Sequence, residues 1–237
     1  MAIMATAIAS MAHSSTANLN EIFEDMSPAV LRELETVEFT TNYPADAVLF
    51  VEGQSPRGMF VVLRGRVKLS VSSRDGRTLI LRIAEAGEVL GISSCVSNQP
   101  YEATAETLEG CEIAFLKRAD VLRMMHSHND LALWLAENLS REYSYTCREV
   151  RNLMLADSAS GKLAKFLVDN LDKNASPKQP GRMKLGLTHE EMAQMIGSSR
   201  ETVTRTLAAF KKRHLIEQNG ATYIIRDRSA LESMMPA

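Results

Sequence analysis

Glycine and proline punctuate the chain unevenly, and this constrains its fold more than any other feature. Between Val37 and Leu116 they recur every few residues and cut the sequence into short pieces, several of which alternate between apolar and polar side chains. Between Lys117 and Gly161 neither residue occurs. The short alternating pieces predict antiparallel strands in a small barrel or jelly roll, and the uninterrupted stretch predicts helix.

One predicted hairpin illustrates the alternating pattern. Asp75-Gly76, which is typical of a hairpin turn, lies between two alternating runs in the segment RVKLSVSSRDGRTLILRIA. The alternating apolar residues are Val67, Leu69 and Val71 before the turn, and Leu79, Leu81 and Ile83 after it. We expect each set to lie on one face of its strand, so that the two strands pair and share one buried side.

The helix predicted after Lys117 carries a single apolar seam. Its members recur at steps of three and four residues: Trp134 or Leu135, Leu139, Tyr143, Thr146, Val150 and Leu153. Such a seam can pack on the rest of its own domain. A repeat of about 3.5 residues favours pairing with a second helix, most simply the same helix of another copy. The sequence therefore predicts a homodimer.

Composition restricts the class of protein. The chain has 237 residues, 45% of them apolar, and no segment long and apolar enough to cross a bilayer, so we predict no membrane partner. Residues 1–20 are rich in Ala, Ser and Met without Lys or Arg; they lack the charged start of a secretory signal and are interpreted as a flexible N-terminal tail. Widely separated cysteines favour a reducing cytoplasm over a disulfide framework.

No metal or iron–sulfur cluster is predicted. Cys95 and Cys111 are interpreted as small buried apolar residues, because neither a histidine nor a second cysteine lies at ligand spacing. His126 and His128 flank Ser127 and could form a metal pair, but the pattern is more typical of a solvated helix end.

Charge is distributed asymmetrically along the chain. The net charge of −2 combines −7 in residues 1–157 with +5 in residues 158–237, where 13 Lys and Arg face 8 Asp and Glu. A basic module joined to an acidic one predicts a polyanionic partner for the basic end.

The basic end contains two short helices joined by a tight turn. Thr188-His189-Glu190-Glu191 has the form of a capping box and begins the first helix, which Gly197 ends. Ser198 or Ser199 caps the second helix. The residues predicted to point inward are Met192, Ala193 and Ile196 in the first helix and Val203, Leu207 and Phe210 in the second. This pattern predicts a helix-turn-helix, with a wing formed around the Asn219-Gly220 turn.

The outer side of the second helix carries Arg200, Glu201, Thr204 and Arg205. Exposed charges on a helix are usually just solvated. In a helix-turn-helix, however, the first turns of the second helix enter the major groove, where arginine can donate to guanine O6 and N7 and glutamate can accept from cytosine N4. We therefore predict that these four side chains contact bases of double-stranded DNA.

The stretch GSSRETVTRTLAAFKKRHLI resembles the recognition region of the Crp/Fnr family of bacterial transcription regulators, closest to its cyclic-AMP receptor branch. The similarity also includes the small barrel, the GEVLG segment and VRNL near the end of the long helix. It implies that Arg200, Glu201 and Arg205 read bases, that Thr204 tunes specificity, and that half-sites resemble TGTGA. It further implies phosphate contacts from Thr188, His189, Ser199 and Thr202.

The effector cassette departs from the family pattern. Cyclic-nucleotide binders of this type read G-E-x-x-G-E followed by R-S-A, whereas this chain reads GEVLGISSCVSNQPYEATA. Ile92 replaces the ribose-binding glutamate, and Tyr101-Glu102 replace the phosphate-binding Arg-Ser pair. The candidate pocket residues are Gly87, Glu88, Gly91, Ile92, Tyr101, Glu102, Thr146 and Cys147. A buried phosphate without donors is costly, so a different ligand or none is favoured over cyclic AMP, and the effector remains unknown.

The combined prediction is an α+β homodimeric regulator. We assign residues 1–20 to the tail, 21–116 to an effector-type β-barrel (jelly roll) of the cyclic-nucleotide-binding type, 117–156 to a dimerisation helix region and 157–237 to a winged helix-turn-helix DNA-binding domain. Asp157 is the predicted cap of the helix that opens this last domain. In the competing hypothesis the barrel is a regulatory or scaffolding module for a partner enzyme, and the basic domain of this chain binds nucleic acid without sequence choice. No catalytic motif is found, so an enzyme is not predicted. An activator would also contact RNA polymerase, for which the loop DKNASPKQPGR is a candidate.

Overall fold

A computed structural model describes residues 18–155, 158–174 and 181–235, which fall into two compact units, one ending at Thr146 and one beginning at Cys147. Within these ranges no helix is long and apolar enough to cross a membrane. The helices are α1 (Leu19–Ile22), α2 (Pro28–Val37), α3 (Ile92–Ser97), α4 (Arg118–Ser127), α5 (Asn129–Leu155), α6 (Ala159–Asn174), α7 (His189–Ile196), α8 (Arg200–Lys212) and α9 (Arg228–Glu232). The strands are β1 (Glu38–Tyr43), β2 (Val48–Phe50), β3 (Gly58–Arg64), β4 (Val67–Ser72), β5 (Thr78–Ala84), β6 (Val89–Leu90), β7 (Thr104–Thr107), β8 (Cys111–Lys117), β9 (Arg182–Lys184), β10 (Ile216–Asn219) and β11 (Thr222–Ile225).

Two four-stranded antiparallel sheets build the first unit, with strand orders β1-β8-β3-β6 and β2-β7-β4-β5. Strand β3 is buried on both faces, which explains its continuous apolar run: Phe60 and Val62 join the core shared by the two sheets, and Met59 and Val61 join a second core under the helices. The α+β fold and the jelly-roll arrangement are confirmed. A closed barrel is not formed, because the sheets pack through side chains and each keeps two edge strands.

The β4–β5 hairpin forms around the predicted turn, where Gly76 has φ +83°. Its register corrects the predicted faces of β5. Val67 pairs with Ala84 and Leu69 with Arg82, so even-numbered residues oppose the inner face of β4 in this half of β5, whereas Leu79 opposes Val71 beyond the bulge. Leu81 is the extra residue of a bulge and is 41% exposed. A bulge inverts the inward and outward order, and alternation alone does not reveal it.

The first described helix begins inside the predicted tail. Asn18 caps α1: its side chain accepts the N–H of Asn20 at 3.0 Å, and its own N–H donates to Glu21 at 3.1 Å. Leu19 and Phe23 are buried in the core beneath the helices. The tail prediction is therefore corrected at its end, because burial of Leu19 holds this segment in place. Residues 1–17 lie outside the described ranges.

The long helical stretch after Lys117 is divided at His128, which separates α4 from α5. Leu131 and Leu135, early in α5, pack in the core of their own unit. Further along the seam, Tyr143 and Val150 are 73% and 54% exposed in the single chain. The first part of the seam thus packs in the core of its own unit, and the later part faces solvent in the single chain.

The second unit is a winged helix-turn-helix. Helices α6 to α9 and the sheet β10-β11-β9 enclose one apolar core, so β9 adds a third strand to the predicted wing hairpin. Asn219 pairs with Thr222 across the turn, where Gly220 has φ +57°. Asp157, the predicted cap of α6, lies outside the described residues; Ser158 Oγ accepts the N–H of Gly161 at 3.0 Å. Residues 175–180 of the candidate polymerase loop are also outside them.

Candidate functional site

Local capping fixes the two helices of the helix-turn-helix. The Thr188 side chain accepts the N–H of Glu191 at 3.1 Å, and the Glu191 carboxylate accepts the N–H of Thr188 at 2.7 Å. Gly197 ends α7 in the left-handed region, which a residue with a Cβ rarely adopts. The six side chains predicted to point inward from α7 and α8 are all buried. The sequence pattern therefore located both helices and their inner faces correctly.

The outer face of α8 presents the four predicted base-reading residues together. Arg200, Glu201, Thr204 and Arg205 are all exposed and line one shallow, open surface with Ala208. Ser199 caps the helix, because its Oγ accepts the N–H of Thr202 at 3.2 Å. The outer face of α8 thus presents two guanidinium donors, one carboxylate acceptor and one hydroxyl to any molecule that contacts it.

Glu201 is held ionised by its surroundings. Its own backbone N–H and the side chain of Ser199 donate to the carboxylate, and Arg200 lies nearby, so the pKa of Glu201 lies below its usual range. An ionised carboxylate can only accept hydrogen bonds. Among major-groove base edges it can therefore pair with the amino groups of cytosine or adenine and not with the keto oxygens of guanine or thymine.

The predicted phosphate-contacting residues lie at the start of α7 and α8. The Thr188 hydroxyl donates to the Glu191 carboxylate at 2.8 Å, so it is engaged within the cap. Ser199 Oγ and Thr202 Oγ1 lie 3.0 Å apart. His189 has a partner that the sequence did not suggest: its Nδ1 lies 2.9 Å from Thr204 Oγ1, on the outer face of α8.

The wing is joined to α8 by polar contacts that the sequence reading missed. Lys211 Nζ donates to Gln218 Oε1 at 2.7 Å, and Gln218 Nε2 donates to the Tyr223 hydroxyl at 2.9 Å. Gln218 lies on β10, so these bonds connect the end of the second helix with the wing hairpin. These bonds join side chains that come close together only after folding, so no sequence pattern predicts them.

In the candidate effector cassette, Glu88 pairs with Arg82, and Arg82 also donates to Glu142 on α5 at 2.8 Å. The Arg82 side chain is 16% exposed. Burial raises the pKa of Glu142, and the carboxylates of Glu102 and Glu88 raise it further, while Arg82 opposes these effects. Glu142 was not a predicted site residue, although it lies one helical turn before the predicted Thr146.

Tyr101 fills the interior of the cassette with its own ring. The ring is 3% exposed and stacks on Phe50 with centroids 4.0 Å apart, and its hydroxyl donates to the carbonyl of Gly58 at 2.7 Å. Gly91 accommodates it: a Cβ at Gly91 would lie 2.8 Å from Tyr101 Cε1. Burial raises the pKa of Tyr101, so the hydroxyl stays protonated and acts as a donor.

The remaining pocket candidates are less closely grouped. Ile92 is 1% exposed and belongs to the core beneath the helices. Glu102 is exposed and accepts the hydroxyl of Ser93 at 2.8 Å. Gly87 has φ +94° with open space where a Cβ would lie. Thr146 and Cys147 are exposed on α5. The structure therefore brings Gly91 into contact with Tyr101, and it places Glu88 beside the ion pair of Arg82 and Glu142.

The cysteines and histidines of the first unit are arranged as follows. Cys95 and Cys111 are buried, and burial raises the pKa of Cys95 to about 11. His128 Nε2 lies 3.0 Å from Glu33 Oε2, so this histidine has a carboxylate partner. Over the residues that the structure describes, no group of three or more His, Cys, Asp or Glu is placed to hold a metal ion.

Comparison with known proteins gives two family matches. The family model for the cyclic nucleotide-binding domain matches residues 40–128, and that for the Crp-like helix-turn-helix domain matches residues 161–234. A curated relative, the cAMP-activated global transcriptional regulator CRP of Pasteurella multocida, is 28% identical over 184 residues, covering 77% of this chain and 88% of the relative.

Solved structures show the same fold at lower sequence identity. FixK2 from Bradyrhizobium japonicum superposes with a TM-score of 0.75 at 21% identity, covering 85% of this chain and 98% of that one. The c-di-GMP responsive global regulator CLP from Xanthomonas campestris gives a TM-score of 0.72 at 20% identity, covering 84% and 99%.

Proposed function

This chain belongs to the Crp/Fnr family of DNA-binding transcription regulators, and from that premise we propose that it is a homodimer that recognises a palindromic operator through α8. The observation that carries the proposal is the outer face of α8. There Arg200, Glu201, Thr204 and Arg205 are exposed together, on a helix whose opposite face is buried in the core of a winged helix-turn-helix.

The chemistry of this face defines the bases it can read. Arg200 and Arg205 donate only, so each fits guanine O6 and N7, and ionised Glu201 accepts only, so it fits cytosine N4. Two guanine-reading arginines and one cytosine-reading glutamate suit a half-site that resembles TGTGA, whose complementary strand supplies the cytosines. We propose this half-site. The net charge of +5 in residues 158–237 supports a polyanionic partner for this unit.

The dimer is proposed from α5. Its seam continues past the core of the first unit to Tyr143 and Val150, which are exposed by 73% and 54%. Large apolar surface at regular helical spacing is what a parallel helix pair would cover. A two-fold dimer presents two copies of α8 to two successive major grooves, so the centres of the half-sites should lie about 34 Å apart.

Selection from random duplexes, followed by competition titration of the full chain, tests the proposal. We expect a palindrome that the protein prefers to random sequence by about 10³ or more. Arg200→Ala should reduce this preference at a guanine. Arg77→Ala, which removes the same charge in the exposed β4–β5 turn, is the matched control and should leave it unchanged. Equal binding to all duplexes would instead favour a scaffolding module with a non-specific basic domain.

We propose further that the effector pocket is altered and does not bind cyclic AMP in the usual mode. Three contacts support this: Tyr101 packs inward on Phe50, Glu88 is engaged by Arg82, and Glu102 takes the hydroxyl of Ser93. A cyclic phosphate at this cassette would meet carboxylates without an unengaged arginine among the residues just named. An unpaired buried charge of this kind costs several kcal/mol.

Calorimetry of the full chain tests the pocket proposal. We expect no micromolar binding of cyclic AMP or cyclic GMP and no change in operator affinity when either is present. The variant Tyr101→Arg/Glu102→Ser restores the pair of residues that the family uses for the phosphate, and it should gain affinity for cyclic AMP relative to the unmodified protein. Micromolar binding of cyclic AMP by the unmodified protein, with tighter operator binding, would overturn the proposal.

We also propose where the regulator acts and what else it contacts. The family is one of transcription regulators, and we propose no catalytic role for this chain. Its operator would place it in the bacterial cytoplasm with the chromosome. If the regulator activates transcription, it must also contact RNA polymerase, and the segment between α6 and β9 stays our candidate for that contact. Footprinting with and without polymerase on the selected operator would test this.

A further inference from the structure

The hydrogen bond between His189 and Thr204 joins the two functional zones of the helix-turn-helix. His189 is the first residue of α7, in the zone predicted to meet phosphates, and Thr204 is on the base-reading face of α8. His189 Nδ1 and Thr204 Oγ1 lie 2.9 Å apart, although the residues are 15 positions apart in sequence. His189 is half-buried while Thr204 is exposed. The imidazole of His189 therefore occupies one side of the Thr204 hydroxyl, and the other side is exposed.

The direction of this hydrogen bond follows from what His189 contacts with its second nitrogen. A neutral imidazole has one donor nitrogen and one acceptor nitrogen. A phosphate oxygen only accepts, so a neutral His189 that contacts a phosphate through Nε2 must carry its single proton there. Its Nδ1 is then an acceptor, and the bond to Thr204 requires the hydroxyl hydrogen of Thr204.

We infer that His189 is a positioning residue for specificity, because it commits the hydroxyl hydrogen of Thr204 and leaves Thr204 Oγ1 able only to accept from DNA. The inference rests on the proposed function, in which α8 lies in the major groove. A threonine hydroxyl without such a partner can donate or accept and hence distinguishes bases poorly. With its hydrogen committed, Thr204 selects bases with a major-groove amino group, adenine N6 or cytosine N4, over the keto bases guanine and thymine.

The test uses the full chain and its selected operator, with each half-site position occupied in turn by each of the four bases. We expect one position at which the unmodified protein prefers an amino base to a keto base by about fivefold, which corresponds to one hydrogen bond of about 1 kcal/mol. Thr204→Val, which keeps the shape and removes the hydroxyl, should abolish the preference at that position. Thr204→Ser should retain it.

The decisive variant is His189→Ala. It should weaken binding to all operators because a phosphate contact is lost, and it should also abolish the preference at the same position as Thr204→Val. Gln194→Ala, a change on the same helix that leaves both residues intact, is the control and should alter neither property.

Two outcomes would overturn the inference: uniform weakening by His189→Ala with the base preference intact, or a preference for keto bases at the position that Thr204→Val affects. These outcomes differ from failure of the proposed function. If the unmodified protein binds all duplexes equally, the DNA-reading role itself is wrong. If it prefers an operator but His189→Ala leaves each positional preference unchanged, only the role of His189 is wrong.

Discussion

Replacement of Gly91 by alanine should destabilise the first unit through two separable effects. Gly91 has φ +76°, and a Cβ there would lie 2.8 Å from Tyr101 Cε1 and 3.4 Å from Cδ1. The Tyr101 ring cannot easily move away, because it stacks on Phe50 and its hydroxyl donates to the Gly58 carbonyl at 2.7 Å. The new methyl group therefore meets both an unfavourable backbone conformation and a fixed neighbour.

The two contributions have known sizes. An alanine in the left-handed region costs about 1–2 kcal/mol. Forcing a methyl group into a well-packed site costs about 1–3 kcal/mol more. Gly87→Ala provides the matched control, since Gly87 has φ +94° and nothing within 4 Å of the Cβ position. We expect Gly91→Ala to lower the free energy of unfolding by about 1–3 kcal/mol more than Gly87→Ala does.

Urea unfolding followed by tryptophan fluorescence measures this difference. Trp134 is the single tryptophan of the chain, and its ring lies 4.6 Å from that of Phe23 in the core of the first unit. Its fluorescence therefore reports the unfolding of the first unit. The two units then need not be treated as one two-state transition. Replacing Tyr101 by alanine in both glycine variants should remove most of the difference between them. Equal destabilisation by the two glycine substitutions would refute the packing of Tyr101 against Gly91.

Three further predictions address the helix face, the seam and the buried carboxylate. Arg205→Ala should cost about 1–3 kcal/mol of operator binding and relax selectivity at one guanine, as measured by competition with single-base operator variants. Val150→Asp should place a charge in the proposed dimer seam and shift the protein towards monomer in sedimentation at micromolar concentration, while the fluorescence of the first unit stays native. Burial holds the pKa of Glu142 above its unfolded value, so its contribution to stability is present at low pH and lost as pH rises. The stability of Glu142→Gln relative to the unmodified protein should therefore rise as the pH increases above about 4, and a constant difference in urea midpoints would contradict this.

The helix-turn-helix could be predicted from sequence because its determinants are local. The capping box at Thr188, the left-handed glycine at Gly197 and the inward spacing of Val203 and Leu207 each act within one or two turns of helix. Such interactions involve residues that are close in the chain, so a sequence pattern is enough to predict them. The outer face of α8 followed directly, since residues not used by the core must lie on the other side of the helix.

The effector cassette could be predicted only in part because its determinants are distant in sequence. The sequence has Tyr101 where the Crp/Fnr resemblance implies an arginine, but the packing of its ring on Phe50 and its bond to Gly58 join residues about 43 to 51 positions apart. The pair formed by Arg82 and Glu142 spans 60 positions. The bulge at Leu81, which places Arg82 on the inner face of its strand, has no marker in the alternating pattern.

The state of Arg82 bears directly on the kind of effector this pocket could use. A cyclic nucleotide needs a cation at its phosphate, and Arg82 is the basic residue that the structure places beside Glu88 in the cassette. To reach it, a phosphate would have to replace carboxylates that already hold the guanidinium, one of them at 2.8 Å. The exchange would leave Glu88 and Glu142 without their cation, next to the carboxylate of Glu102, which already helps to raise the pKa of Glu142. The displaced charges would then repel both one another and the ligand. If the pocket is altered as we propose, an anion gains little at this site, and we expect an effector that binds with Arg82 left in place to carry no negative charge there.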